Sequence, residues 1–261
     1  MASPPVLPKA GPTQYPHTAH QARRRVRLDA TLIPDGVRFA GRSDYEAWIE
    51  SQQWYQTMTL PSGVRTKGSV RTDRRLQRLR ELDWSGRSVL DIGCNSGQYC
   101  FFAKEHGASR VVGIDINKHR LQQARTLGLN EGLSAEFYDM SLFDAPTLGR
   151  FDIVLCFAVL TEVQDLFGGL HALSEVVGSE AHMEIGLAAR WSIPVSPRSW
   201  KRRVPGVPPW RAAADVRVNK RGTWTILPTF DVLSAAVGTT LVAKKRRGGL
   251  RYNAIELRRC L

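Results

Sequence analysis

Residues 88–97 read Ser-Val-Leu-Asp-Ile-Gly-Cys-Asn-Ser-Gly, and this stretch decides the fold. Its first half is a short β-branched run, which is typical of a buried strand. Its second half holds two glycines, Gly93 and Gly97, and leads into a helix-like segment over residues 98–106. A strand that turns through glycines into a helix begins a βαβ unit, and in a doubly wound sheet that turn lies at the edge where ligands bind.

The glycine spacing narrows the kind of ligand. The turn has a Gly-x-x-x-Gly pattern and lacks the third glycine of the dinucleotide fingerprint Gly-x-Gly-x-x-Gly, which disfavours a pyrophosphate cradle. We expect the missing Cβ atoms at Gly93 and Gly97 to let a ligand approach the backbone closely. The candidate cofactor-binding residues of the turn are Asp91, Gly93, Cys94, Asn95 and Gly97.

Strands and helices alternate along the rest of the central region. Further strands are predicted at residues 110–114, 135–138, 151–157 and 181–187, and helices at 117–127 and 165–177. After these, a helix at 229–236 and strands at 239–243 and 252–257 complete the sheet. This alternation predicts an α/β fold with a doubly wound, largely parallel sheet, covered on both faces.

Two acidic residues come at the ends of neighbouring predicted strands. Asp115 ends the second strand, 22 residues after Gly93, where a carboxylate can accept hydrogen bonds from both hydroxyls of a ribose. Asp139 ends the third strand, where it can accept from an adenine amino group, while Met140 and Phe157 offer apolar surface to the ring. Either carboxylate alone could simply cap a helix, so the argument rests on the two together with the glycine turn.

This combination resembles the class I S-adenosylmethionine-dependent methyltransferases. The resemblance covers residues 84–187 and implies a Rossmann-like, doubly wound seven-stranded sheet whose last two strands form a hairpin. It also implies S-adenosyl-L-methionine as the cofactor, and it adds Ile116 to the cofactor-binding candidates. A binding protein that keeps this fold without turnover is the non-enzyme alternative, and the intact glycines and acids argue against it.

A closer resemblance is to the group of tRNA wobble-uridine carboxymethyltransferases and related methylases. It is carried by residues 54–55, 63–64, 71–73, 86–94, 151–152, 158–160 and 227–229. Where that group has a Trp- and Lys-containing stretch and a Tyr-His pair, this chain has Arg74-Arg75-Leu76 and Thr161-Glu162. Because those positions hold the extra carboxylate of the cofactor in that group, the departures predict plain methyl transfer.

Two residues are candidates for the chemistry of methyl transfer. An oxygen or protonated-nitrogen acceptor needs a base or hydrogen-bond acceptor. Glu162 follows the fourth strand closely, and Tyr99 opens the first helix beside the glycine turn. For Glu162 the structural alternative is a carboxylate in the first turn of a helix, where the helix dipole favours it.

The charge of the chain is uneven. The 261 residues carry a formal net charge of +13, yet residues 88–187 hold six basic and thirteen acidic residues, so the positive excess lies in the flanks. Basic flanks attract anionic partners such as RNA, a phosphorylated metabolite or a membrane surface. Because most of the 37 basic residues are Arg, biased coding explains the excess equally well.

Composition and sequence pattern exclude several classes of protein. No run approaches the ~18 apolar residues that cross a bilayer, and the N-terminal region shows no secretory signal. The four cysteines lack Cys-x-x-Cys or Cys/His spacing, so neither a disulfide framework nor a metal site is predicted. Reduced thiols fit a cytoplasmic protein.

The domain prediction has three parts. Residues 1–42 form a largely disordered Pro/Arg-rich lead, 43–83 a helical N-terminal extension, and 84–261 the methyltransferase domain. That domain contains an irregular Trp/Pro/Arg-rich insertion at 190–224.

Two acceptor classes stay open. One is a hydroxyl or amine of a small molecule or glycoconjugate, over which the insertion would close. The other is RNA. Basic residues of the chain would contact its phosphates, while Trp200 or Trp210 stacks on a base. The basic candidates are Arg74, Arg75, Arg78, Arg198, Lys201, Arg202, Arg203 and Arg211.

Overall fold

The structure is a computed structural model that describes residues 36–185, 214–218, 224–228, 241–246 and 253–259. Its main sheet has the strand order β3-β2-β1-β4-β5-β9-β8. The five strands of its first part are Ser88–Ile92 (β1), Arg110–Asp115 (β2), Glu136–Asp139 (β3), Phe151–Phe157 (β4) and Val177–Ile185 (β5), which all run parallel to one another. The predicted α/β class and largely parallel sheet are confirmed.

Two strands complete the other edge of this sheet. They are Leu241–Arg246 (β8) and Asn253–Arg259 (β9), and β9 runs antiparallel to both β5 and β8. The helix predicted at 229–236 lies outside the described residues. The strands predicted at 239–243 and 252–257 are present, with each one shifted toward the C-terminus.

Apolar clusters cover the sheet on both faces because strand side chains alternate. On β1, Leu90 and Ile92 belong to one cluster, together with helix Leu166–Val176 (α5). Val89 belongs to the other, together with helices Gln98–Glu105 (α3) and Lys118–Glu131 (α4). Asp91 lies two residues after Val89 on β1, so the two side chains share one face of the sheet, the face that α3 covers.

Three local features differ from the prediction. β5 begins at Val177. The prediction placed its start at residue 181, because polar residues follow Val177 and interrupt the apolar pattern of the strand. A 3-10 helix at Leu142–Leu148 was not predicted and contains Pro146. Ala214–Val218 (β6) lies within the predicted irregular insertion and pairs antiparallel with Trp224–Pro228 (β7), which begins at the last residue of the insertion, so this part is not irregular. Residues 190–213 and 219–223 of the insertion lie outside the described residues.

Residues 36–83, here called the N-terminal segment, hold helices Arg42–Ser51 (α1) and Asp73–Leu79 (α2). Helix α1 ends at Ser51, and Tyr55, beyond its end, is 46% exposed. The indole of Trp54 donates to the carbonyl of Ile49, 2.7 Å away, which satisfies one of the free carbonyls at the helix end. Residues 1–35 of the predicted disordered lead lie outside the described residues.

No helix in the described part of the chain is long and apolar enough to cross a bilayer.

Candidate functional site

The turn between β1 and α3 depends on its two glycines for conformation. Gly93 and Gly97 have φ of 72° and 85°, in the left-handed region that favours glycine. A Cβ on Gly93 would lie 2.4 Å from Cγ2 of Val159, and one on Gly97 would crowd Phe101 and Phe137. The glycines therefore make room for the left-handed turn and for neighbouring side chains. That they also let a ligand approach the backbone stays a prediction.

Between the glycines, Asn95 is also left-handed, with φ of 53°. Its side-chain oxygen Oδ1 accepts from the amide of Ser96 at 2.9 Å, which is the local bond that lets Asn adopt this conformation. The amide of Asn95 itself donates to Asp115 Oδ2 at 2.8 Å. The end of β2 therefore fixes the turn that follows β1.

Asp115 is the last residue of β2 and is half-buried. Its Oδ1 accepts from the amide of Asn117 at 2.8 Å, so both of its oxygens receive a backbone N–H. Each carboxylate oxygen keeps a further lone pair for a ribose hydroxyl. Asp139 ends β3 and pairs with the exposed Lys118, with Nζ and Oδ2 3.2 Å apart.

Asp91 lies beneath the turn and is 1% exposed. Its Oδ2 is 3.6 Å from Sγ of Cys100, which donates the thiol hydrogen. Burial raises the pKa of Asp91 to about 8, the Cys100 bond works against this rise, and the nearby charge of Asp115 adds to it. Burial also raises the pKa of the Cys94 and Cys100 thiols, so both are neutral and unreactive.

The predicted apolar residues take three different positions. Ile116, directly after Asp115, is 76% exposed, more than any other large apolar side chain in the described residues. Met140 packs against the apolar cluster on the α5 side of the sheet. The ring of Phe157 meets the ring of Tyr99 edge-on, with centroids 5.0 Å apart.

The two catalytic candidates differ sharply in exposure. Tyr99 is 3% exposed, and burial raises its pKa well above the usual range against the opposing charge of Arg75, so the phenol stays protonated. Glu162 is exposed in the turn after β4, and its amide donates to the carbonyl of Val159. That turn begins with Ala158, a non-glycine residue at φ of 64°. The catalytic roles of both candidates stay predictions.

A charged cluster at the ends of β4 and β5 was not predicted. Arg75 of α2 donates from Nε to Oε2 of Glu184 at 2.8 Å and from Nη1 to the Tyr99 hydroxyl at 3.2 Å. Its guanidinium also lies over the Phe157 ring, 5.3 Å from the centroid, and Arg78 pairs with the other oxygen of Glu184. Arg75 and Glu184 are 109 residues apart, and only the run of arginines in α2 hinted at such a contact.

Within the described ranges, no three His, Cys, Asp or Glu side chains come together in a way that could hold a metal ion.

Comparison with known proteins finds similarity in the region around this turn. Residues 89–178 match the family model described as a methyltransferase domain. The ribosomal protein L11 methyltransferase of Enterobacter sp. (strain 638) is 32% identical over 115 residues. That alignment covers 41% of this chain and 39% of the relative, so the chain spans about two fifths of the length of the relative that it matches.

Solved structures show the same fold at low identity. The N-terminal domain of EvdMO1, crystallised with S-adenosylhomocysteine and D-fucose, superposes with a TM-score of 0.62 at 16% identity, over 86% of this chain and 100% of that one. An S-adenosylmethionine-dependent methyltransferase from Listeria monocytogenes gives 0.54 at 15% identity, over 72% and 97% of the two chains.

Proposed function

We propose that this chain, whose residues 89–178 form a class I S-adenosylmethionine-dependent methyltransferase domain, transfers a methyl group to an oxygen or nitrogen of a small-molecule or glycoconjugate acceptor. One observation carries the proposal. The left-handed turn at Gly93, the acid that ends β2 and the acid that ends β3 meet at one edge of the sheet. An S-adenosyl nucleoside needs polar groups in that arrangement.

A further polar atom supports the fit of this cofactor. The carbonyl oxygen Oε1 of Gln98, the first residue of α3, is buried and has no hydrogen-bond partner among the described residues. A buried acceptor without a donor costs free energy unless a ligand or water supplies one. Cofactor groups with N–H or O–H donors would satisfy it beside the turn.

Each half of the nucleoside has residues suited to it. Asp115 would hold the ribose, since its two oxygens are already oriented by backbone amides. Asp139 would accept from the adenine amino group. The exposed side chain of Ile116 and the thioether of Met140 would lie against the ring, which removes apolar surface from water.

S-adenosylmethionine supplies an activated methyl group on a sulfonium that leaves as a neutral thioether. The residues of the chain therefore have to orient the acceptor and exclude water. The protonated phenol of Tyr99 can donate a hydrogen bond to an acceptor oxygen, because its own oxygen is held by Arg75. Glu162 is the carboxylate after β4 that would take the proton released by the acceptor.

The kind of group transferred follows from the state of Arg75. A carboxymethyl donor would bring an extra carboxylate, and Arg75 is the cation near β4 that could hold it. Both Nε and Nη2 of Arg75 lie within 2.8 Å of Glu184 Oε2, so the guanidinium already has a carboxylate partner. Because this pairing engages the guanidinium, Arg75 is less available to a second carboxylate, which supports methyl transfer and departs from the tRNA carboxymethyltransferases that the sequence resembles.

An RNA acceptor is the second candidate. Arg74 and Arg80, at the two ends of α2, are exposed, whereas Arg75 and Arg78 of the same helix contact Glu184 beside the β4 and β5 ends. Phosphates could therefore approach close to the proposed site. The basic and aromatic candidates at 198–211 lie outside the described residues.

Calorimetry with S-adenosylhomocysteine tests the cofactor assignment. One site per chain is expected, and folded protein that gives neither heat nor thermal stabilisation would overturn the assignment. Isotope-labelled S-adenosylmethionine incubated with extract fractions then separates the acceptors by mass: a gain of CH₂ in metabolites supports the first candidate, and one in RNA the second. RNA binding would also weaken steeply with salt, by a log–log slope of about −0.7 per phosphate contacted.

The three described cysteines are free thiols, which supports a reducing, cytoplasmic location.

A further inference from the structure

One buried polar side chain on α4 has no place in the machinery described so far. Gln123 is 1% exposed and lies among apolar residues of the same helix, such as Ala124 and Leu127. Burying an amide is costly unless its donors and acceptors find partners. Its burial beside these apolar residues therefore calls for a reason beyond packing.

The partners of Gln123 lie on two different parts of the chain. Its Oε1 accepts from the hydroxyl of Ser96 at 2.9 Å, inside the turn between β1 and α3. Its Nε2 donates to the main-chain carbonyl of Gln53, in the N-terminal segment, at 3.2 Å. Arg120, one turn earlier on α4, donates to the same two oxygens.

Ser96 is the point at which this network meets the strained part of the turn. Its amide donates to Oδ1 of Asn95, and its hydroxyl also lies 3.2 Å from that atom. Asn95 is left-handed, and its own amide donates to Asp115. The Ser96 amide is the donor that Asn95 needs in its left-handed conformation, and Gln123 holds Ser96 through the hydroxyl of that residue.

We propose that Gln123 is a positioning residue: it holds Ser96, and through it the left-handed Asn95 and its bond to Asp115, in the conformation that receives the cofactor. Its second bond fastens the N-terminal segment to the same point. The inference rests on the proposed function, because the turn is taken to be the cofactor turn.

A second buried polar residue on α4 provides a matched control. Thr126 is also 1% exposed, and its Oγ1 accepts from the amide of Val37 at 3.1 Å. Thr126 therefore tethers the N-terminal segment from the same helix, and this side-chain contact does not involve the turn. If Gln123 only fastened the segment, Thr126→Val and Gln123→Leu would have similar effects on the cofactor.

The experiment measures S-adenosylhomocysteine affinity by calorimetry for wild type, Gln123→Leu and Thr126→Val. We expect Gln123→Leu to weaken binding about tenfold, the effect of losing a buried hydrogen bond that orients the turn, and Thr126→Val to leave affinity unchanged. Equal affinities in wild type and Gln123→Leu, or equal losses in both variants, would overturn the proposal.

Ser96→Ala keeps the proposal testable if Gln123→Leu fails to fold, since it deletes only one hydroxyl. It should weaken binding to a similar extent, and the double variant should be no weaker than Gln123→Leu alone, because both changes remove one interaction. Wild-type affinity in Ser96→Ala, or additive losses in the double variant, would contradict the link.

Hydrogen exchange separates this inference from the proposed function, because it needs no cofactor. In ligand-free protein, the amides of Asn95 and Ser96 should exchange faster in Gln123→Leu and at the wild-type rate in Thr126→Val. Unchanged exchange in Gln123→Leu would overturn the positioning role even if the cofactor binds. Absence of binding to wild type, with faster exchange in the variant, would instead overturn only the proposed function.

Discussion

The β2/β3 side and the β4/β5 side of the sheet edge are held by different kinds of contact. On the β2/β3 side, backbone amides close the site: Asn95 and Asn117 donate to Asp115 within a short stretch of chain. On the β4/β5 side, side chains close it: Arg75 and Arg78 of α2 reach Glu184 across more than 100 residues.

This difference separates a rigid binding surface from an adjustable one. Backbone amides beside the strand ends fix the orientation of Asp115, so the β2/β3 side, where we propose that the nucleoside binds, suits one fixed ligand. Arg75 and Arg78 are long side chains on a separate helix, so we expect acceptor preference to vary on the β4/β5 side. Four substitutions test this comparison, in order of decreasing effect.

The largest effect concerns the buried carboxyl beneath the turn. The pKa of Asp91 is about 8 in the folded protein, whereas an unfolded Asp titrates near 4. Between these values the folded state holds one more proton, so its stability falls as pH rises, by on the order of 1 kcal/mol per pH unit.

Asp91→Asn removes this dependence and keeps an acceptor for the Cys100 thiol. The free energy of unfolding of the variant, minus that of wild type, should grow from pH 5 to pH 7.5 in denaturant titrations. A difference that stays constant with pH would mean that Asp91 is ionised in the fold.

The second test removes the negative charge of Glu184 on the β4/β5 side. Glu184→Gln leaves Arg75 and Arg78 without their buried carboxylate, and we expect a loss of about 3 kcal/mol in unfolding free energy. The matched change Glu136→Gln acts on an ion pair with Arg110 whose side chains are 42% and 46% exposed, and should cost at most about 1 kcal/mol. Equal losses would show that the buried cluster is no stronger than a surface pair.

The third test acts on the β2/β3 side. Asp115→Ala removes the carboxylate proposed for the ribose and frees two amides, so S-adenosylhomocysteine should bind at least about tenfold more weakly. Glu175→Ala, at an exposed site near the end of α5, is the control and should bind as wild type does. An unchanged dissociation constant in Asp115→Ala would move the ribose contact elsewhere.

The smallest effect is expected from the exposed Ile116. Ile116→Ala deletes apolar surface that the adenine ring would cover, which should weaken cofactor binding about fivefold, since the lost burial corresponds to about 1 kcal/mol. The melting temperature of the free protein should not change, because the side chain is 76% exposed. Leu129→Ala, 38% exposed on α4, should leave affinity unchanged; a loss there equal to that of Ile116→Ala would argue against a stacking contact.

Sequence patterns predicted the parts of the site that are local along the chain. The bounds of β1 and β4 agree with the structure because both segments are rich in apolar residues, and Asp115 and Asp139 stand at strand ends as expected. The pairing of Arg75 with Glu184 was missed, since nothing near either residue marks the other. Gln123 was missed because the helical pattern registers apolar residues and passes over a polar one between them.

The contacts of the N-terminal segment join residues that lie far apart in the sequence, which affects when these contacts form during synthesis. Gln53 is made 70 residues before Gln123, and Arg75 109 residues before Glu184. At about 5–20 residues per second, the ribosome delivers Glu184 roughly 5–20 s after Arg75. During that interval α2 is without its carboxylate partner, so the segment that is translated first docks late.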